Sequence, residues 1–212
     1  MLESKRLIMT KPQLSYSEEL YEIHSNKIAT QYTPKRRHKT INDTKNMLNK
    51  WITHWDDHNY GYFVIIKKEN KKVIGSGGAE KMEFANKEYF NLYYRLDPKE
   101  TGNGYATEAI KTIINWLKTK IDNNLDFVIR TDVNNISSVK LAEKLGFKKD
   151  SNFDNYVDQG DIFSLNNISK FQKCFIPIAL LTLSLGTLNN PKTCRMVGLI
   201  AHAMPTFVCK FS

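Results

Sequence analysis

The stretch Tyr89-Phe90-Asn91-Leu92-Tyr93-Tyr94-Arg95-Leu96-Asp97-Pro98-Lys99-Glu100-Thr101-Gly102-Asn103-Gly104-Tyr105-Ala106-Thr107-Glu108-Ala109-Ile110 decides the fold. Its first part, Tyr89 to Leu96, is aromatic-rich and reads as a strand. Pro98 lacks a backbone N–H, so ladder pairing has to stop at Asp97-Pro98. Beyond the loop, Ala106, Ala109, Ile110, Ile113, Ile114 and Leu117 recur at helical spacing and predict a helix that runs to about Lys118 with one face buried. A glycine-rich loop gains meaning from this strand-to-helix context. Glycines let the backbone approach a ligand closely, and the first turn of a helix offers unpaired N–H groups and the positive end of a dipole. A pyrophosphate would be held there. The plain alternative is a tight turn with Gly104 as the start of the helix.

Outward from this segment the pattern alternates. Upstream, Leu2 to Thr10 reads as a first strand ended by Pro12, and Ser15 to Ser25 as a first helix. A second helix is predicted after Thr40 and Asn42, either of which can cap it, with Leu48, Trp51, Ile52 and Trp55 on one face. The two tryptophans read as core. Tyr62 to Ile66 and Val73 to Gly78 form a hairpin about the polar turn Lys67 to Lys72. Downstream, Leu125 to Val133 is a strand, Asn135 to Leu145 a short helix stopped by Gly146, and Phe147 opens a further extended piece. This order is α/β, and the strands at Tyr89 to Leu96 and Leu125 to Val133, joined through one helix, should be neighbours.

At 212 residues the chain can bury one core comfortably and is short for two independent domains. A hydrophobic share of 41% with 25% charged residues is that of a soluble globular protein, not a disordered or membrane one. The charged opening Glu3 to Arg6 leaves no room for an export signal, so a cytoplasmic address is expected. The net charge of +9 favours anionic partners and leaves an RNA-associated role as a rival reading, without DNA binding in view. After Asp161 no Asp or Glu follows, which places a boundary near Asn166: a domain at 1–165 and an atypical acid-free tail at 166–212. The apolar run Cys174 to Leu188 holds Pro177 and Gly186 and is too short to span a bilayer, so membrane contact through it is not expected. Cys174, Cys194 and Cys209 all lie in this tail and show no zinc-site spacing; neither metal nor disulfide is expected.

Three segments resemble the GNAT superfamily of acetyltransferases, and within it the branch of ribosomal-protein alanine N-acetyltransferases. They are Leu2-Glu3-Ser4-Lys5-Arg6-Leu7, the loop Gly102-Asn103-Gly104-Tyr105-Ala106-Thr107-Glu108-Ala109, and Asn135-Ile136-Ser137-Ser138 through Glu143-Lys144-Leu145-Gly146-Phe147. Their order and spacing fit from about Leu2 to about Leu165. The resemblance implies a mixed, mostly antiparallel central sheet flanked by helices, with a splayed pair of parallel strands. It implies acetyl-coenzyme A as co-substrate and an amine acceptor, a protein N-terminus (ribosomal or other) or a small molecule.

By the same resemblance, Gly102, Asn103, Gly104, Tyr105 and Ala106 hold the cofactor's pyrophosphate, while Leu92 and Tyr94 on the splaying strand and Asn135 hold its pantetheine arm. Ser138, Asn135 and Tyr94 are the expected catalytic residues, Ser138 as the acid for the leaving thiolate. Asn135 and Ser138 are also ordinary helix caps. Glu108, in the first turn of its helix, reads as structural or dipole-pairing.

The sequence departs from the family at three places. Thr101 stands where Arg or Gln is usual, Asn91 where a carboxylate is common, and Ala142 where some relatives carry a tyrosine acid. Glu80 and Glu83 are then the candidates for the base. The departures keep a second reading open, a degenerate module that binds coenzyme A or RNA without turnover. The histidines at 24, 38, 54, 58 and 202 suggest no nucleophile and base pair. The basic loop Pro34 to Lys39 is a place where acidic or phosphate-bearing acceptors would be favoured.

Overall fold

A computed structural model describes residues 1–84, 86–121, 126–151, 154 and 161–166. All of them belong to the compact unit Met1–Ser169. Leu125, the run Cys174 to Leu188, the three cysteines and His202 lie outside the described residues.

Eight strands among the described residues form one sheet in the order β1-β2-β3-β4-β5-β6-β8-β7. The chain runs through β1 (Leu2–Glu3), β2 (Leu7–Thr10), α1 (Ser17–His24), α2 (Ile41–His58), β3 (Tyr62–Lys67), β4 (Val73–Phe84) and β5 (Lys87–Leu96). It continues through α3 (Tyr105–Lys120), β6 (Asp126–Asp132), α4 (Ile136–Lys144), β7 (Lys148–Lys149) and β8 (Asp161–Asn166). Every pairing is antiparallel except β5 with β6. The α3 crossover makes that pair parallel, because a connection through a helix returns the chain in the same direction.

Helix α3 buries Ala109, Ile110, Ile113, Ile114 and Leu117 on one sheet face, among Leu7, Phe90, Leu92, Phe127 and Ile129. Each large aliphatic side chain so buried stabilises the contact by about 1.5–3 kcal/mol. The helix therefore cannot shift without large cost, and the loop at its N-terminus is fixed in place. The opposite face carries a second cluster in which Leu20 of α1 and Leu48 and Trp51 of α2 cover Val64, Ile66 and Val73. A capping box starts α2: the Thr40 hydroxyl accepts from Asp43 N–H and the Asp43 carboxylate accepts from Thr40 N–H.

Four expectations need correction. The first strand is a hairpin, since Ser4 to Arg6 turn the chain so that Leu2 faces Met9; the Ser4 N–H donates to Leu7 O at 3.0 Å. Strand β4 runs on from Gly78 to Phe84, paired with β5 along its whole length to a turn beside Asn86, whose φ is +57°. Of the two candidates, Thr40 caps α2 and Asn42 lies inside it. The single face predicted for Leu48, Trp51 and Trp55 divides between two clusters, Trp55 in one and Leu48 with Trp51 in the other; both tryptophans are core as read from the sequence, the Trp55 indole donating to Tyr62 O at 2.8 Å.

Candidate active site

Strands β5 and β6 pair at Tyr89–Asp126, Phe90–Phe127, Asn91–Val128 and Leu92–Ile129, and there the pairing ends. Strand β5 continues to Leu96, paired with β4 on its other side, and β6 continues to Asp132, paired with β8. Beyond the Leu92–Ile129 rung no residue of Tyr93–Leu96 pairs with Arg130–Asp132, so the two strands part there. Unpaired backbone N–H and C=O groups are a template for an added extended chain. The opening begins one residue past Leu92, which sits in the last closed rung.

Where β5 ends, Asp97 caps a turn at Pro98–Glu100 by accepting from Lys99 N–H at 3.0 Å. Glu100 is buried and pairs with Lys67 (3.4 Å) and Lys72 (3.2 Å), which ties the turn to the β3–β4 connection. Gly102 and Gly104 follow with φ of +83° and +77°, the left-handed region that costs other residues about 1–2 kcal/mol. A side chain at Gly102 would project into open space, so the backbone there faces solvent directly. Gly104 is the N-cap of α3, whose first amides and Tyr105 follow it. Left-handed glycines, exposed backbone and a helix start fit an anionic diphosphate.

Arg6 shapes this loop from the other side. Its guanidinium lies over the Tyr105 ring at 4.4 Å and donates through Nη1 to Asn103 O at 3.0 Å. Glu108 holds it there, accepting from Arg6 Nε, Arg6 N–H and Ser4 Oγ, each at 2.7 Å. Burial works to raise the Glu108 carboxyl, but the hydrogen bonds from Arg6 N–H, Ser4 Oγ and Arg6 Nε outweigh it and bring it below the usual carboxylate range. Glu108 is thus structural, as its helix position suggests, through tertiary bonds to the first hairpin. Thr101 turns its hydroxyl back to Pro98 O at 2.7 Å, and the cationic side chain beside the loop is Arg6.

Across the opening, Tyr94 OH donates to Ser138 Oγ at 2.8 Å, which joins β5 to the first turn of α4. Burial pushes the Tyr94 phenol up while the Ser138 contact opposes it, and the net is a phenol that stays protonated at neutral pH. Asn135 is the cap of α4: its Oδ1 accepts from Ser138 N–H at 3.2 Å. The structure therefore brings Tyr94, Ser138 and Asn135 together, and places Leu92 at the root of the opening. Gly102, Asn103, Gly104, Tyr105 and Ala106 stand at the head of α3.

The other sheet face holds Glu80, read from the sequence as a candidate base, and Arg95 with His24, which the sequence did not single out. Glu80 lies directly opposite Asn91 on β4, so a carboxylate occupies the neighbouring strand where β5 lacks one. Burial, then the nearby Glu80 carboxylate, push the Tyr62 phenol up. Glu83 faces Glu88 at the far end of the hairpin and is exposed. Buried Arg95 donates from Nη2 to Thr33 Oγ1 at 2.7 Å and lies 3.2 Å through Nη1 from His24 Nδ1. His24 in turn is 3.2 Å from Ser76 Oγ through Nε2 and stacks on His38 at 4.9 Å.

The His24 proton can be placed. Arginine only donates, so Nδ1 of His24 accepts and Nε2–H donates to Ser76. Burial, then the Arg95 charge, hold the His24 imidazole well below its usual range. Histidines do pair here, with His54 also 4.5 Å from His58, yet the Ser76 hydroxyl accepts a hydrogen bond from His24 and is not activated by it. Among the described residues no group of three or more His, Cys, Asp or Glu is placed to hold a metal ion. Nor is any helix among them long and apolar enough to cross a membrane.

Residues 6–148 match the acetyltransferase (GNAT) domain family. The chain belongs to the GNAT acetyltransferases. Acetyl-coenzyme A is the acetyl donor of this family. A comparison with curated protein sequences finds no match. Among solved structures, a GNAT-family acetyltransferase from Bacillus anthracis is similar at 18% identity and a TM-score of 0.64, covering 78% of this chain and 96% of that one. The ribosomal-protein-S5-alanine acetyltransferase from Vibrio fischeri is similar at 20% identity and 0.62, over 77% and 94%. The microcin C7 self-immunity acetyltransferase, determined in complex with acetyl-CoA and AMP, is similar at 21% and 0.62, over 77% and 93%. At these identities the GNAT fold is what they share with the chain.

Proposed function

We propose that this GNAT acetyltransferase moves the acetyl group of acetyl-coenzyme A to a primary amine by direct attack in a ternary complex, with a protein N-terminus as acceptor. The observation that carries the reading is the parting of β5 from β6 after Leu92, beside a glycine-headed helix start. Amides of Gly102 to Ala106 and the Arg6 guanidinium hold the diphosphate, and the β5 edge beyond Leu92 pairs with the pantetheine arm as a third strand would. The Nδ2 group of Asn135, not used in capping, donates to the same arm. Bound there, the thioester supplies an activated acetyl carbonyl.

Backbone N–H groups of Tyr93 to Leu96 polarise that carbonyl, which is worth most in a site shielded from water. The N–C bond forms as the C–S bond breaks. The amine's surplus proton leaves toward Glu80 through water, and Ser138 gives its proton to the departing sulfur, takes one from Tyr94, and Tyr94 is reprotonated from solvent. Positioning dominates, because a neutral amine held against a thioester needs no covalent help. The ribosomal-protein neighbours support a peptide acceptor, and the residues support a cytoplasmic enzyme with its domain in 1–165 and a distinct tail at 166–212.

The Thr101 hydroxyl, turned away from the loop face, favours a second reading in which the cofactor binds without turnover. Release of coenzyme A thiol with a panel of amines separates the two, since steady turnover excludes the second. The first reading predicts that acetyl-coenzyme A at about one hundred times its Kd stabilises the protein by about 2.7 kcal/mol in a melting assay. Gly104→Glu removes that gain by placing a side chain and a negative charge at the diphosphate. No shift at millimolar cofactor refutes the proposal.

A further inference from the structure

We propose that Arg95 is the anion-binding floor of the acceptor site and that the acceptor is an acidic peptide, one of whose carboxylates seats against the Arg95 guanidinium. The substrate class deepens the acetyltransferase reading and rests on it for the amine; the anion rests on separate observations.

Arg95 lies on β5 inside the unpaired stretch, opposite Ser76, on the sheet face covered by α1 and α2. It is 7% exposed. Its two hydrogen-bond partners, His24 and Thr33, are both neutral, and no carboxylate among the described residues pairs with it. Glu80 sits on the same strand as Ser76, four residues further on, near the Tyr62 phenol and not paired with Arg95. A guanidinium has five donors, of which this arrangement uses two. A cation removed from water without a counter-charge is costly, and a ligand carboxylate would remove that cost with a two-pronged hydrogen bond.

Specificity for the occupant follows from space and from neighbours. At 7% exposure Arg95 leaves little room, which suits a small planar carboxylate better than the charged backbone of a nucleic acid. Thr33, which Arg95 holds, leads into Pro34 to Lys39, and that segment sets the exposed Arg36 near Tyr62 and Tyr93 on the same face. A peptide whose amine points to the parted strands would pass this cationic rim with its following side chains.

The test is calorimetric binding to the full chain in the presence of coenzyme A. One probe is a pentapeptide beginning with alanine and continuing with aspartates; the others are its asparagine isostere and a phosphoserine version. The aspartate peptide is expected to bind roughly tenfold to a hundredfold tighter than the isostere. Arg95→Gln should erase that preference and Arg36→Gln should reduce it. Equal affinity for aspartate and asparagine peptides on the unaltered protein overturns the proposal, whether or not R95Q folds. So does a preference that persists in a folded R95Q, or tight binding of the phosphopeptide alone. Turnover without acidic preference sinks only this inference, whereas acidic preference without any turnover sinks only the enzymatic reading.

Discussion

Glu108→Ala should uncouple the first hairpin from the cofactor loop. The carboxylate is 18% exposed and accepts three hydrogen bonds, from Ser4 Oγ, Arg6 N–H and Arg6 Nε. A hydrogen bond to a charged group contributes about 1.5–3 kcal/mol when shielded, but Arg6 is 43% exposed and the three bonds share one acceptor. Discounting for both, the loss is about 2–3 kcal/mol, or a fall in Tm of roughly 4–10 °C for a domain of this size. The pH dependence has a definite sign. The folded carboxyl lies below its ordinary 4.5, so the stabilisation is complete above that value and disappears as pH falls through the lower, folded value. Circular-dichroism melts at neutral pH and at successively lower pH should thus show a wide gap between parent and variant at the first that narrows as acid is added. Glu108→Gln, which keeps an acceptor, should recover part of the loss. Because Arg6 then no longer pins Asn103 O, acetyl-coenzyme A affinity should fall with stability. A variant melting within about 1 °C of the parent at neutral pH, or a gap unchanged in acid, refutes this account of the loop.

Ser138→Ala should lower kcat by about a hundredfold or more if its hydroxyl protonates the leaving sulfur, and Tyr94→Phe by less, since it only replenishes that proton; stopped-flow thiol release reads both, and equal rates in all three proteins would remove the pair from the chemistry. Glu80→Gln should reduce kcat at neutral pH and recover as pH rises and the amine loses its proton unaided, so a pH–rate profile identical to the parent's would clear Glu80 of a role as base.

The glycine loop was legible because its cause is local: a proline ends a strand, glycines turn, and an apolar period begins at Ala106. The same holds for α2 and α4, whose caps lie beside the helices they start. Period-2 alternation located β4 but lost it after Gly78, because Gly75, Gly77 and Gly78 present no side chain to count. The turn at Ser4 to Arg6 contains neither glycine nor proline, so its hairpin read as one strand; the bonds that fix it come from Glu108, 104 positions beyond Ser4. Arg95 could not be singled out in the sequence, since His24 and Thr33 reach it from 71 and 62 positions away. Tyr94 and Ser138 are 44 apart, and only the family resemblance placed them together. Resemblance also anticipated the parting of β5 from β6, while its onset after Leu92 is a matter of register that no residue type announces.

Backbone hydrogen exchange with and without acetyl-coenzyme A tests the central claim most directly, because an added chain must pair with the very amides that the parted strands leave free. New protection concentrated in Tyr93–Leu96 and Gly102–Ala106 is the predicted result. Protection absent from both segments at saturating cofactor, or confined to other parts of the sheet, would contradict it.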